Sequence, residues 1–328
     1  MKKTAKAHSN IALVKYWGKK GDENLRLPVN SSMSVALDSA YTLTTVEWDA
    51  QLEQDEVGMI DDTFSEKEKV KVSKHLDRVR EMAGITTRAR VVSKNNFPKA
   101  AGMASSASGF AALSMAAASA AGLELSSKEL SILARKGSGS ASRSIPGGIA
   151  RWNAGESSET SYAERVEFPD DWKIKILLVM AEDTSAKKVG STEGMAIAPT
   201  SPYFDLAVSE GKKDIERIKQ AMDENNWSGF GRVIENECYR LHMMCMTSQP
   251  NILYWKGMTV EVFQALYTLR DEGIEAFFTV DAGPHVHVIC KEDEAEQVKE
   301  KLSEIDGIKT VVECGVGPEA RTVEEDLF

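Results

Sequence analysis

Cysteine is scarce in this sequence, and what there is forms no pattern. The four residues Cys238, Cys245, Cys290 and Cys314 make no CxxC pair and no Cys/His spacing of the kind that builds a zinc site. That argues against a zinc module and predicts reduced, mostly buried thiols in a cytoplasmic protein. Basic excess is also missing: 40 Lys and Arg against 50 Asp and Glu leave a formal charge of -10. Neither a non-specific nucleic-acid binder nor a partner of anionic membranes fits such a balance, although a local basic pocket can still hold a small anion. No long hydrophobic run is present. The best stretch, residues 103–123, is largely alanine and carries Ser105, Ser106, Ser108, Ser114 and Ser119, which suits a helix lying close against a sheet better than a membrane span. The opening MKKTAKAHSNIALVKYWGKK is basic but leads into no apolar core and no small-residue cleavage site, so a signal peptide is not expected. Internal repeats and low-complexity tails are absent as well.

What remains is an ordinary folded composition, 42% hydrophobic and 27% charged over 328 residues, for which two domains are the default. Residues 34–48 alternate with β-branched and aromatic side chains and predict strand. Residues 67–82 are charged and periodic, a solvent-faced helix, and residues 88–95 read as a strand feeding a turn rich in small residues. The alanine-rich helix follows that turn. A second helix spans residues 127–136, with Ser126 as its cap and Glu129 completing a capping box. Residues 137–148 (GSGSASRSIPGG) break all periodicity, so this segment is either disordered or built around a ligand. Residues 173–180 (KIKILLVM) predict a buried strand. Helices follow at 214–222, 230–246 and 259–272, then a hairpin of residues 275–281 and 286–290, a helix at 295–305 and a last strand at 310–313. The expected division is an N-terminal domain of residues 1–185 and a C-terminal α+β domain of residues 186–328.

Several segments carry candidate chemistry. The turn before the alanine-rich helix leaves backbone N–H groups free, which a polyphosphate needs, and Ser105 and Ser106 add hydroxyls for phosphate oxygens or magnesium. The turn has neither GxxxxGK[ST] nor GxGxxG, and a merely close-packed helix start explains it equally well. Lys15 and Lys19 are interleaved with Tyr16 and Trp17, so they either face solvent or sit partly desolvated as point charges for a phosphate. Arg143 is the only charge among residues 137–148. It is either a surface loop arginine or a fork for a carboxylate or phosphoryl group, with Ser138, Ser140 and Ser142 as neutral donors nearby. Asp281 closes the apolar run FFTV ahead of Ala282-Gly283-Pro284, as a turn-former or as a base held at a strand end. His285 and His287 share a strand face but have no third ligand, so a metal pair is discounted.

Taken together, residues 10–19 (NIALVKYWGK), 101–109 (AGMASSASG), 137–143 (GSGSASR) and 280–284 (VDAGP) resemble the diphosphomevalonate decarboxylases of the GHMP kinase superfamily over nearly the whole chain. The resemblance implies an α+β, GHMP-kinase-like two-domain fold, with a ribosomal-protein-S5-like N-terminal domain and a ferredoxin-like C-terminal domain. It implies ATP with Mg2+ as phosphoryl donor, a small mevalonate phosphate ester as substrate, a homodimer, and no nucleic-acid or membrane partner. Asp281 would orient or deprotonate the C3 hydroxyl with Asn10 close by, Arg143 would hold the substrate carboxylate, and Lys15 would lie in the same cleft. Tyr16, Lys19, Ser138, Ser140 and Ser191 match positions at the substrate's phosphate end. Ala101, Gly102, Met103, Ala104, Ser105, Ser106 and Ser108 match the ATP phosphate loop, with Ser105 and Ser106 beside the metal. Two departures qualify it. Gly190-Ser191-Thr192 stands where the family usually reads Ser-Ser-Arg, and Lys99 stands where many members have threonine. Thr192 keeps open a decarboxylase of mevalonate 5-phosphate or of the 3,5-bisphosphate, and a 3-kinase without decarboxylation is a further alternative.

Overall fold

A computed structural model describes residues 1–60, 62–97, 105–182 and 189–328. Two sheets carry the fold. The first is built on two long antiparallel strands, β1 (Lys2–Val14) and β4 (Ser32–Asp49), joined by a two-strand ribbon of β2 (Lys19–Lys20) and β3 (Leu27–Pro28). β5 (Glu56–Met59), β6 (Arg88–Asn95), β7 (Ile149–Trp152) and β8 (Ala163–Val166) complete it, together with the C-terminal β13 (Arg321–Val323). Its order is β13-β1-β4-β6-β5, and β7 pairs with the free end of β4 and with β8. The β1/β4 register shifts between His8 and Asn10 and again between Ala12 and Val14. Such shifts re-aim side chains locally, and this stretch of β1 is the one that carries the site.

Three helices cover one face. α1 (Glu66–Ala83) starts at a Ser65/Glu68 capping box, and α3 (Ser127–Gly137) starts at the Ser126/Glu129 box predicted for it. Between them, α2 (Ser105–Ala120) is the alanine-rich helix, whose small residues let it lie against both β1 and β4. Residues 137–148 are ordered rather than loose. A 3₁₀ turn, Gly139–Ser144, packs there with its backbone pressed onto aromatic rings. A Cβ at Gly137 would stand 2.2 Å from the Phe110 ring, and one at Gly139 2.5 Å from the Tyr16 ring. The small residues that erased periodicity are therefore the ones that allow this approach.

The second sheet contains β9 (Ile174–Ala181), β10 (Phe277–Val280), β11 (Val286–Lys291) and β12 (Ile308–Cys314) in the order β10-β11-β9-β12, all antiparallel. Between β9 and β10 come α4 (Ser191–Ile197), α5 (Phe204–Asp223), α6 (Trp227–Thr247) and α7 (Gly257–Asp271), and α8 (Ala295–Ser303) links β11 to β12. β9, α7, β10, β11, α8 and β12 thus follow the ferredoxin-like βαββαβ path. β9 is apolar apart from Lys175, which pairs with Glu292 and Glu313, because both its faces are covered. Ile174, Ile176 and Leu178 join one core with Phe230 and Phe277, while Leu177, Val179 and Ala181 join another with α7 and α8.

Two expectations change here. An N-terminal domain ending at residue 185 would include β9, yet β9 is a central strand of the second sheet. The strand at 308–314 is not the last, because β13 returns to the edge of the first sheet and pairs with β1 from Thr4 to Lys6. Propensity ranks segments as strands but does not say which sheet receives them. The halves are not separately cored either: Ile11 and Leu13 of β1 pack in one cluster with Trp172, Ile176, Phe230 and Phe277. Among the described residues no helix is long and apolar enough to cross a membrane.

α6 lies so close to the second sheet that a Cβ at Gly231 would stand 2.1 Å from the Phe277 ring. Gly231→Ala is expected to lower unfolding stability by about 3 kcal/mol through overpacking, read by chemical denaturation.

Candidate active site

The end of β1 meets the end of β10, and the candidate residues gather at that junction. Lys15, one residue past β1, is almost fully buried, and its ammonium donates to the Ala12 carbonyl at 2.9 Å and to Asp281 Oδ1 at 2.7 Å. Asp281 follows β10 directly and keeps a partly exposed carboxylate. Burial would raise its pKa, but the charges of Lys15, His287 and Arg143, with the Lys15 hydrogen bond, outweigh it and hold the carboxyl below its ordinary range. It is an anion at neutral pH.

Lys15 is fixed from its backbone as well. Its N–H donates to Glu237 Oε1 on α6 at 2.7 Å, and its carbonyl accepts from Asn30 Nδ2 at 3.2 Å. Glu237 escaped the sequence reading because nothing in the periodicity of α6 marks a carboxylate as buried against a distant strand end. That burial pushes its pKa up to about 7, against the lowering effect of Lys15.

Arg143 is buried, not a surface loop arginine. Nη1 donates to Ser32 Oγ at 2.8 Å and Nη2 to Asn10 Oδ1 at 3.4 Å, while Nε has no partner. Burial lowers its pKa to about 10, so the guanidinium keeps its charge at pH 7. Asn10 in turn donates to Ser144 Oγ at 2.7 Å and to the Ser140 carbonyl at 3.1 Å. A cation with one orphaned N–H, a carboxylate and an amide therefore converge from β1, the 3₁₀ turn and β10.

A row of hydroxyls leads away from them. Ser106 Oγ lies 3.3 Å from Ser138 Oγ, which lies 3.4 Å from Ser140 Oγ, so the start of α2 and the 3₁₀ turn touch through neutral groups. Tyr16 packs on Trp152 with ring centroids 4.7 Å apart and buries a hydroxyl without a hydrogen-bond partner; burial raises its pKa to about 12. Lys19 is partly buried on β2, and burial together with the charges of Arg26 and Lys71 lowers its pKa. Ser191 stands exposed as the first residue of α4, whose Gly194 packs against Trp17 and Tyr254. Ser108 is buried, within 2.7 Å of Thr42 Oγ1, so its hydroxyl serves the α2/β4 contact and is not offered to a ligand. Ala101, Gly102, Met103, Ala104 and Lys99 lie outside the described residues.

Beside Ser105 and Ser106 opens a cavity of about 150 Å³ with Met59, Phe64 and Leu113 as apolar walls and Lys71, Ser93 and Asn95 as polar groups. Thr42 and the carboxylate of Glu68 also line it, and apolar walls interrupted by a few polar groups suit a small ligand of mixed polarity. Apart from the two serines, sequence reading missed this pocket, since Lys71 belongs to a helix read as solvent-faced. Among the described residues no cluster of three His, Cys, Asp or Glu forms a metal site. Ser105 and Ser106 fit a magnesium ion shared with phosphate oxygens rather than one caged by protein.

Residues 7–163 match the diphosphomevalonate decarboxylase-like N-terminal domain, and residues 176–322 match the mevalonate 5-diphosphate decarboxylase C-terminal domain. The chain belongs to the diphosphomevalonate decarboxylase family. Its similarity to a phosphomevalonate decarboxylase of Haloferax volcanii is 32% identity, covering 99% of this chain and 98% of the relative. The crystal structure of mevalonate diphosphate decarboxylase from Staphylococcus aureus is 38% identical, covers 98% of each chain and superposes with a TM-score of 0.93. A structure of MDDEF in complex with MVAPP, AMPPCP and magnesium is 39% identical, covers 99% of each chain and also has a TM-score of 0.93. The match to the diphosphomevalonate decarboxylase-like N-terminal domain ends at residue 163, and the match to the C-terminal domain begins at residue 176, within β9.

Glu237 yields a prediction about pH. Its native pKa lies above the unfolded reference of 4.5, so its contribution to stability is complete below that reference and is lost as pH rises through about 7. Glu237→Gln keeps an acceptor for the Lys15 N–H and should remove that loss. Relative to the native chain it should gain about 3 kcal/mol between pH 5 and pH 8.5, measured by denaturant unfolding at each pH.

Proposed function

We propose that the chain catalyses the ATP-dependent decarboxylation of (R)-5-diphosphomevalonate to isopentenyl diphosphate, CO2, ADP and phosphate through phosphorylation at C3. The observation that carries this reading is the convergence of an ionised Asp281, bound to Lys15, with a buried Arg143, bound to Asn10 and Ser32. The family membership and the relative with MVAPP, AMPPCP and magnesium support the same reading.

A tertiary alcohol is a weak nucleophile, so placement and charge neutralisation dominate the first step. With its pKa below the carboxylate norm, Asp281 is a poor base toward a free alcohol. Its role is to accept the C3 hydroxyl's hydrogen bond, aim the oxygen at the phosphoryl group, and take the proton as the O–P bond forms. Lys15 holds Asp281 in place and limits the negative charge that builds there. Arg143, whose hydrogen-bond partners Ser32 and Asn10 are neutral, supplies its positive charge to the substrate carboxylate. Once C3 carries phosphate, the bond from C2 to the carboxylate breaks, its electron pair forms the double bond, and the C3–O bond breaks to release phosphate. Tyr16, Lys19, Ser138, Ser140 and Ser191 are assigned to the ester's phosphate end, and Ser105 and Ser106 to the nucleotide. Magnesium, bound with the nucleotide, supplies charge neutralisation at the transferring phosphoryl group. The reading includes a cytoplasmic enzyme, in which four buried free thiols stay reduced, and a homodimer.

Purified protein assayed with ATP and the mono- and diphosphate esters of mevalonate, following CO2 and ADP together, tests the proposal. CO2 with ADP from the diphosphate supports it; ADP alone selects a 3-kinase, and preference for a monophosphate selects the activity named in the Haloferax relative. Asp281→Ala is expected to lower turnover by at least about 10³-fold with both ligands still bound. Loosened substrate with unchanged turnover would overturn that role. Arg143→Ala should weaken the ester by on the order of 100-fold while ATP binding stays within about threefold, as separate titrations would show.

A further inference from the structure

One helix grips both ends of the Lys15–Asp281 pair. Glu237, Cys238, Leu241 and His242 recur at helical spacing on the buried face of α6. Glu237 Oε1 accepts the Lys15 N–H at 2.7 Å, and His242 Nε2 donates at 3.2 Å to the carbonyl of Val280, the residue before Asp281. A carbonyl can only accept, so that ring nitrogen carries the proton; burial lowers the His242 pKa to about 4 and leaves the ring neutral. Asn30 holds Lys15 from the other side of the residue, giving Nδ2 to its carbonyl at 3.2 Å. The backbone that carries the Lys15 ammonium to Asp281 is therefore fixed at both its N–H and its carbonyl.

A neutral amide would accept the Lys15 N–H without the cost of burying a charge, yet an acid stands there. Its surroundings compensate it only slightly. Arg240, on the same helix, brings Nε no closer than 3.7 Å to Glu237 Oε2, and its Nη2 pairs with Asp214 on α5. Asp214 also pairs with Arg217, which in turn takes Glu210, so that network is balanced without Glu237. Cys238 stays a protonated thiol, because burial pushes its pKa up to about 12, and Asp281 is already engaged by Lys15. A cavity of about 20 Å³ beside Glu237, Asn30 and Lys15, walled by Trp17, Leu241 and Met244, is too small for bulk water to screen a charge. Burial thus opposes ionisation of Glu237 and Lys15 favours it, which puts the change of state at about pH 7. Ionisation would convert the bond from the Lys15 N–H into a charge-assisted one, roughly twice as strong. A buried acid that changes state near neutral pH, bonded to the residue that holds the presumed proton acceptor, marks a functional position on physical grounds.

We propose that Glu237 is a positioning residue for the phosphoryl-transfer step, fixing through the Lys15 backbone where the Lys15 ammonium holds Asp281. The step it serves rests on the decarboxylase reading; the coupling of Glu237 to Lys15 does not. As Glu237 loses its proton the hold tightens, so kcat rises with pH through about 7 while KM for ester and ATP changes little. Glu237→Gln keeps the acceptor without the charge. Its kcat should match that of the native chain at pH 6 and fall on the order of tenfold below it at pH 8.5, with both KM values within about threefold. Titration of the ester or nucleotide phosphates affects both proteins alike and drops out of the comparison. The same substitution is expected to stabilise the chain at pH 8.5, so a loss of turnover there cannot come from unfolding. A second readout needs no activity: with lysine labelled for NMR, the Lys15 amide, identified by its absence from Lys15→Arg, should titrate with a midpoint at about pH 7 in the native chain and not in Glu237→Gln. Identical pH profiles, a loss carried by KM with kcat unchanged, or a Lys15 amide that does not titrate overturns the proposal. Turnover with neither ester, with the amide titrating only in the native chain, sinks the decarboxylase reading and still supports the coupling.

Discussion

The ion pair between Lys15 and Asp281 is the contact on which the rest of the site depends. It spans 266 residues of sequence and joins the end of a strand in one sheet to the end of a strand in the other. Nearby groups reinforce it: Thr279 Oγ1 on β10 donates to the Ala12 carbonyl at 3.3 Å, and Glu237 on α6 accepts the Lys15 N–H at 2.7 Å. A buried pair is weak evidence for stability, because desolvation offsets most of the Coulombic gain. Its value here is geometric. An ammonium with 3% exposure cannot leave its carboxylate for water, so Asp281 stays ionised and aimed.

That constraint needs a rigid platform, and the shared core provides one. Ile11 and Leu13 lie on the strand that ends at Lys15, and they pack in the same cluster as Phe277, which begins the strand that ends at Asp281. Movement of one strand end relative to the other would open this core, not merely slide a loop. Asn10 sits on β1, and Lys15 and Asp281 directly follow the ends of β1 and β10, so strands place them more precisely than a free loop would. The 3₁₀ turn reaches similar precision by another route, with Gly139 pressed on Tyr16 and Asn10 bonded to both Ser140 and Ser144.

Local signals were legible in the sequence, and distant ones were not. The Ser126/Glu129 box located the start of α3, and alternation with β-branched and aromatic residues located most of β4, because both depend on neighbours within a few residues. Arg143 looked like a loop arginine until its partners Ser32 and Asn10 were visible, both more than 100 residues away in sequence. Lys71 fell in a helix read as solvent-faced, and Glu237 in a helix whose charges drew no reading, for the same reason. β9 read correctly as a buried strand, but its apolar run is equally suited to either sheet, and only pairing with β11 and β12 assigns it. The candidate chemistry was visible mainly where a segment combined unusual residues at close spacing, as in KYWGK and GSGSASR.

Charge is handled in two ways along the candidate site. At the junction of β1, the 3₁₀ turn and β10, Lys15 is paired with the carboxylate of Asp281, whereas Arg143 is bonded only to the neutral Asn10 and Ser32 and keeps an unpartnered Nε. Farther along, the hydroxyls of Ser106, Ser138 and Ser140 are neutral. A carboxylate bonded to Arg143 would cancel its charge; neutral partners fix the guanidinium and leave that charge for an anion. The Lys15–Asp281 pair works the other way, since each ion is already compensated and its geometry is set before any ligand arrives.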